Sequence, residues 1–188
     1  RRAFTTEELD RLYVAALNSP LYEATYKETR RKDKSGKPKA AELTPATIDA
    51  ALWLGRVRSM AYKVMANTGL RFSELRSITI GQTYLDHTPA YLELRPEHEK
   101  ARRGARLPLP AFLIPELKAY TTEREKRLLG HCGAFPGVLN KTPLLDLPKS
   151  MTGTFNRDLA HAGIVDKERD SKKRLRFHKK NERGESVD

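Results

Sequence analysis

The stretch Thr68-Gly69-Leu70-Arg71-Phe72-Ser73-Glu74-Leu75 stands where a long apolar helical pattern ends and a short new one begins. Gly69 fits the position just past a helix end, where a left-handed backbone costs a glycine no strain. Arg71 and Glu74 lie three residues apart, so in a helical segment the carboxylate can steady the guanidinium. A fixed arginine whose planar fork points outward can grip a phosphate, and an ordinary surface ion pair would explain the same spacing.

A long apolar stripe leads into this stretch. Thr44 fits an N-cap and Pro45 fits the first helical position. Apolar residues at helical spacing predict a core-facing side: Ile48, Leu52, Val57, Met60, Ala61, Val64 and Met65. Gly55 interrupts the stripe and leaves open whether it forms one helix or two. In either case the stripe brings Arg71 to the edge of the core.

A first helix and a basic loop precede the stripe. Thr5 and Glu8 have the spacing of a capping box, which predicts a helix start. Asn18-Ser19-Pro20 is expected to end that helix, because proline removes an intrahelical hydrogen bond. Residues 27–39 carry seven lysines and arginines against two acids, with glycine and proline among them. We expect a flexible basic loop there, either solvated or in contact with phosphate.

Three short segments after the stretch alternate in strand fashion, at residues 78–80, 90–95 and 106–109. Short strands joined by turns predict a small antiparallel sheet. The second connection, residues 96–104, is rich in basic residues and forms the predicted tip of a hairpin. We therefore expect a hairpin that presents positive charge.

The remaining chain predicts two helices and a basic tail. One helix covers residues 115–129 with Gly130 as its stop, and another runs from Ser150 to His161. Residues 167–188 form a basic tail, expected to be either disordered or irregular. The predicted fold class is α+β and mainly α, with one small three-stranded antiparallel sheet.

Composition narrows the class of partner. The 188 residues carry 36 Lys+Arg against 24 Asp+Glu, a formal net charge of +12. Such an excess favours polyanions, with nucleic acid first and acidic membrane surfaces second. Cys132 is the only cysteine, which excludes an intrachain disulfide and is typical of a cytosolic protein. No run approaches the about 18 apolar residues of a membrane span, no signal peptide is visible, and the five histidines lack metal-ligand spacing with Cys132.

The segment Ala66-Asn67-Thr68-Gly69-Leu70-Arg71-Phe72-Ser73-Glu74-Leu75 resembles the first conserved box of the tyrosine recombinases, the phage-integrase family. The order that follows, a strand, a basic hairpin, Leu107-Pro108-Leu109 and a helix, is similar to the catalytic domain of that family. The resemblance covers most of the chain, from about residue 44 to residue 129. It implies that residues 1–188 form a partial helical catalytic domain.

The resemblance implies a role for each matching residue. Arg71 would match the first catalytic arginine, which holds a nonbridging oxygen of the scissile phosphate and stabilises the pentacoordinate transition state. Glu74 would match the acidic residue that supports this arginine. Lys100 resembles the hairpin lysine that donates a proton to the departing 5′ oxygen. Arg102 or Arg103 could be the matching basic residue instead, because hairpin lengths vary.

The resemblance also implies double-stranded DNA as the partner, self-association on DNA, no cofactor and no metal. It further implies the cytoplasm of a bacterium, close to its nucleoid, or a phage origin. The expected DNA-binding residues lie in the hairpin and the basic tail: Arg102, Arg103, Arg106, Lys172, Lys173 and Arg174. Phosphate contacts carry no base information, so the target sequence is not readable from these residues.

One part of the family pattern is missing. The family nucleophile is a tyrosine on a late helix, preceded by a His-x-x-Arg box. His178 is followed by Lys179-Lys180-Asn181 with no arginine three residues later, and the last tyrosine is Tyr120. We therefore expect a domain truncated before that box, or a degenerate recombinase.

The expected chemistry follows from this departure. The full-length protein is expected to cleave and rejoin DNA through a 3′-phosphotyrosyl intermediate, and this chain alone to bind DNA only. Two other readings are a non-catalytic basic DNA-binding domain and a basic protein that binds RNA or an acidic partner.

Overall fold

The computed structural model describes residues 3–27, 36, 40–99, 102–132, 136–169, 175–180 and 186–187. The helices are α1 (Thr6–Lys27), α2 (Pro45–Thr68), α3 (Phe72–Ser77), α4 (Leu113–Cys132), α5 (Pro136–Leu139) and α6 (Thr152–His161). The strands are β1 (Thr83–Tyr84), β2 (Tyr91–Leu94), β3 (Ala105–Pro108), β4 (Val165–Arg169), β5 (Leu175–Lys180) and β6 (Ser186–Val187), and single 3₁₀ turns cover Ile80–Gln82 and Pro96–His98. The fold is mainly α with a small three-stranded antiparallel sheet, which confirms the predicted α+β class.

The chain divides into two compact units, and the boundary falls within α2. Unit 1 contains Arg1–Ser59 and Pro148–Asp188, and unit 2 contains Met60–Leu147. None of the described helices has the length and apolar character needed to cross a membrane. The basic loop predicted at residues 27–39 lies almost entirely outside the described residues.

Helix α1 of unit 1 begins as predicted but ends later. The Thr5 N–H donates to Glu8 Oε2 at 3.0 Å and the Glu8 N–H donates to Thr5 Oγ1 at 3.2 Å, so the capping box is confirmed. The predicted end at Pro20 is wrong, because α1 continues to Lys27. Pro20 is buried within the helix, and Glu23 beyond it accepts a hydrogen bond from Arg157 Nε of α6 at 3.0 Å. Packing between α1 and α6 outweighs the one hydrogen bond that the proline removes.

Helix α2 is one continuous helix, so the two-helix alternative is wrong. Its start is confirmed, because the Thr47 N–H donates to Thr44 Oγ1 at 3.3 Å. Gly55 does not break the helix; it lies against the backbone of Leu17 in α1. A Cβ added at Gly55 would overlap the Leu17 carbonyl oxygen and lie 2.9 Å from the carbonyl carbon. Helices α1 and α2 can therefore approach closely at this point only because Gly55 has no side chain.

The predicted apolar stripe of α2 is only partly buried. The positions in its second half are buried as predicted, at Val57, Met60, Ala61 and Val64. Ile48 and Leu52 are 36% and 44% exposed, so the prediction of a continuous core face is wrong there. The first half of α2 instead buries the small residues Ala51 and Gly55, which let the helix backbones approach and leave the large side chains outside.

The C-terminal part of unit 1 forms a second antiparallel sheet. Helix α6 matches its prediction to within two residues, and Gly163, with φ +68°, follows its end. Strand β4 pairs with β5 from Val165↔Lys179 to Arg169↔Leu175, and β5 pairs with β6 at Lys179↔Val187. The expectation of a disordered or irregular tail is therefore wrong for these residues. Leu175 and Phe177 alternate with charged neighbours in the sequence, which is a strand pattern that the high charge concealed.

Unit 2 contains the predicted sheet β1-β2-β3, with its strands antiparallel and in sequence order. Its core includes buried apolar residues from helices, strands and the segments between them: Leu70, Leu75, Ile78, Leu92, Leu113, Leu117, Leu144 and Leu145. Strand β1 lies at Thr83–Tyr84, so the strand predicted at residues 78–80 is misplaced. Ile78 and Ile80 bond instead with the segment after α5: Leu144 N–H donates to Ile78 O at 2.8 Å and Ile80 N–H donates to Thr142 O at 2.9 Å. Gly130 does not stop α4, which keeps helical geometry to Cys132.

Candidate functional site

The turn between α2 and α3 fixes the position of Arg71. The Gly69 N–H donates to Met65 O at 3.0 Å, and Gly69 has φ +72°, so the predicted helix end is confirmed. Leu70 follows and is only 6% exposed. Its burial anchors the turn in the core of unit 2. Arg71 comes next, immediately before the first residue of α3.

Glu74 holds Arg71 at two points. The Arg71 N–H donates to Glu74 Oε2 at 2.8 Å, and Arg71 Nη1 donates to Glu74 Oε1 at 3.1 Å. The Glu74 side chain is 10% exposed, whereas that of Arg71 is 64% exposed. The carboxylate therefore lies within the protein and the guanidinium projects from it. The remaining N–H groups of the guanidinium bind no other side chain in the described part of the chain, so they are available to an anion.

The connection between β2 and β3 contacts the helix that Arg71 precedes. The 3₁₀ turn Pro96–His98, which follows β2, packs against α3. The sequence did not predict that this turn and α3 lie close together. Lys100 lies outside the described residues, so its predicted role as a proton donor stays a prediction. The same holds for the predicted DNA contacts of the tail, Lys172, Lys173 and Arg174.

The described arginines of the hairpin are all exposed, but they differ in backbone and contacts. Arg102 has a left-handed backbone, with φ +54°. The Arg103 N–H donates to Glu99 Oε2 at 3.0 Å. The guanidinium carbon of Arg106 lies 5.2 Å from the ring centroid of Tyr91, at cation–π distance. All three predicted DNA-binding residues of the hairpin therefore present their charge to solvent.

Sequence reasoning missed an aromatic group on the outer face of the sheet. The rings of Tyr84 and Tyr91 stack with centroids 4.6 Å apart, and His87 meets both edge-on. Tyr84 Oη donates to Glu93 Oε2 at 3.3 Å, and the negative charge of Glu93 is the main cause that raises the pKa of Tyr84. The signal was present in the sequence, because Tyr91 and Glu93 alternate with the buried Leu92 and Leu94. Only the strand register, however, brings Tyr84 opposite Tyr91.

The contact between Glu74 and the Arg71 backbone predicts a stability effect. Glu74→Ala is expected to lower the free energy of unfolding by about 1–2 kcal/mol, because it removes the acceptor of a part-buried N–H. Glu74→Gln is expected to cost less than half as much, since the amide oxygen can still accept that bond and the Arg71 guanidinium of the ion pair is largely exposed to solvent. Urea denaturation followed by circular dichroism measures both values.

The control for this experiment is Glu97→Ala, since Glu97 is exposed and only reaches Arg95 at 4.0 Å. It is expected to leave stability unchanged. Equal losses for the alanine and glutamine variants of Glu74 would contradict the hydrogen-bond account and assign the effect to charge.

Within the described residues, no group of three or more His, Cys, Asp or Glu side chains is arranged to hold a metal ion. Comparison with protein-family models, with curated proteins and with solved structures gives no match to this chain. A functional assignment therefore depends on the residues of the site and their geometry.

Proposed function

We propose that this chain belongs to the catalytic domain of a tyrosine-type site-specific DNA recombinase, in which Arg71 binds the scissile phosphate. The observation that carries the proposal is the Arg71 guanidinium, exposed and held from behind by the buried Glu74. The basic hairpin supports it, because the turn Pro96–His98 packs against the helix that Arg71 precedes. The net charge of +12 also favours a polyanionic partner.

The chemistry proposed for Arg71 is electrostatic. When a tyrosine oxygen attacks the phosphorus, the P–O5′ bond breaks and negative charge accumulates on the nonbridging oxygens. A guanidinium that is already oriented stabilises that charge without reorganising during the reaction. Glu74 restricts the rotamers of Arg71 and so contributes to this orientation. Lys100 is the proposed donor of the proton that the departing 5′ oxygen takes up.

None of the described residues is assigned as the nucleophilic tyrosine or as the second arginine of the family pattern. Three of the four tyrosines of unit 2 are poorly suited to attack a phosphate. Tyr62 and Tyr120 are buried, and burial is the main cause that raises the pKa of Tyr120 well above its usual range. Tyr84 is engaged with Glu93. These observations favour a second candidate function for the chain alone, a non-catalytic basic domain that binds duplex DNA.

Two measurements test the proposal. Fluorescence anisotropy with a labelled duplex is expected to show an affinity that falls steeply, by about tenfold or more, from low to physiological salt. A flat salt profile would count against a DNA partner of either kind.

The second measurement separates the two candidate functions. A nicked suicide substrate offered to the full-length protein that contains this domain is expected to trap a covalent protein–DNA adduct. If duplex binding is retained while no adduct forms on any of a range of integration sites, the non-catalytic alternative is correct.

A further inference from the structure

Three arginines surround a groove at the loop end of the β2–β3 ladder. Arg95 follows β2, Arg103 precedes β3, and Arg106 lies within β3. The groove between them has a volume of about 380 Å³. We propose that this groove binds one phosphate of a nucleic-acid backbone, separate from the phosphate assigned to Arg71. The inference rests on the proposed function and adds a second phosphate contact to it.

Acids lie beside this groove, with Glu93 among its lining residues, but in the described part of the chain none of them forms a close ion pair with the three arginines. Glu93 is the direct cross-strand partner of Arg106, yet among the described residues the two form no ion pair. The Glu93 carboxylate instead accepts the hydrogen bond from Tyr84, and the Arg106 guanidinium covers the Tyr91 ring. Cross-strand partners of opposite charge commonly pair, so this separation leaves Arg106 able to bind another anion.

The other two arginines are equally accessible. Arg95 approaches Glu97 only at 4.0 Å, and both side chains are more than half exposed, so this pair is weak. Arg103 is exposed, and it donates to Glu99 through its backbone N–H rather than through the guanidinium. The three guanidinium groups therefore keep most of their hydrogen-bond donors available to an anion.

The backbone of the hairpin has an unusual geometry at this point. Arg102 and Gly104, on either side of Arg103, both have a left-handed φ, of +54° and +73°. For arginine this conformation costs about 1 kcal/mol or more, and such costs concentrate at binding sites. A Cβ on Gly104 would lie 3.1 Å from the Leu94 carbonyl oxygen and 3.1 Å from the Pro96 ring. The glycine therefore lets the two sides of the hairpin close and brings Arg103 and Arg95 to the same groove.

The chemistry of the groove selects a phosphate. Guanidinium forks match the paired oxygens of phosphate and carboxylate, and three of them from two strands suit a tetrahedral anion with several acceptors. On a domain with an exposed Arg71 close to the same hairpin, the expected source is a phosphodiester of duplex DNA. Free phosphate is the other possible source, and the experiment distinguishes the two.

The test measures duplex DNA binding against salt concentration for Arg95→Gln, Arg103→Gln, Arg106→Gln and the triple variant. Each single substitution is expected to weaken binding about tenfold at low salt, because each removes hydrogen bonds to a charged group. If the three arginines share one phosphate, the slope of log affinity against log salt falls by only about 0.9 in the triple variant. Arg56→Gln, an exposed arginine in the part of α2 that belongs to unit 1, controls for the loss of one charge.

Three outcomes overturn the inference. A slope change near three times about 0.9 would mean three separate phosphates, and single variants equal to Arg56→Gln would mean no phosphate in the groove. Binding of inorganic phosphate that is lost in the triple variant, together with a duplex affinity that the triple variant leaves unchanged, would identify free phosphate as the ligand. If the wild-type protein binds no duplex, the proposed function fails together with the inference. If the wild type binds duplex and the variants bind it with the same affinity, the inference alone fails.

Discussion

Under the proposed recombinase function, Arg71→Ala is expected to lower the rate of DNA strand cleavage by about 10³-fold. The loss is large because the transition state carries more negative charge on the nonbridging oxygens than the bound substrate does. Arg71 is only one of the cations expected to contact the backbone, so duplex affinity is expected to fall by about tenfold or less. The effect thus concerns the rate of the chemical step more than binding.

Two variants give this experiment its controls. Arg71→Lys keeps the charge but loses the planar fork, so we expect it to recover affinity while leaving cleavage strongly impaired. Arg56→Ala removes an exposed arginine of unit 1 and is expected to cleave like the wild type. Single-turnover adduct formation measures cleavage, and anisotropy measures binding. Equal losses of cleavage and affinity in Arg71→Ala would show that the residue binds DNA without stabilising the transition state.

The features that the sequence predicted correctly are local. The capping box at Thr5, the N-cap at Thr44 and the helix end at Gly69 depend on residues within four positions of each other. The ion pair of Arg71 with Glu74 belongs to the same class. Local hydrogen bonds and backbone conformations are properties of short segments, so they can be recognised without the tertiary fold.

The errors arise where distant segments decide the outcome. Pro20 is tolerated inside α1 because that helix packs on α6, more than a hundred residues away in the sequence. Ile78 and Ile80 looked like a strand, but they bond with the segment around residue 143. Tertiary contacts override local propensity at such positions, and the spacing of residues carries no information about them.

In the candidate site, too, the sequence predicted the local contact but not the contacts between distant residues. Arg71 and Glu74 could be paired from their spacing, whereas Arg95 was overlooked because only the hairpin pairing brings it near Arg103. Tyr91 was read as a strand residue, but its contact with Arg106 depends on the register of β2 with β3. A pattern along one strand identifies the exposed face, and the neighbouring strand determines which side chains meet on it.

Gly55→Ala is expected to lower the free energy of unfolding of unit 1 by about 3 kcal/mol. The added methyl group would overlap the backbone carbonyl of Leu17 in α1, and a backbone atom cannot move aside as a flexible side chain can. The helices would have to separate, which loosens the packing around the buried Ala16 and Val57. This cost exceeds the gain of up to about 1 kcal/mol that alanine normally brings to a helix interior.

Gly130→Ala is the matched control, because Gly130 also lies inside a helix but a Cβ at this position would meet no described atom within 4 Å outside the adjacent backbone of its own helix. It is expected to stabilise the protein by about 0.5–1 kcal/mol. Thermal and urea denaturation of both variants should therefore shift in opposite directions from the wild type. A Gly55→Ala variant as stable as Gly130→Ala would show that α1 and α2 do not approach as closely as described, and that Gly55 is an ordinary helical glycine.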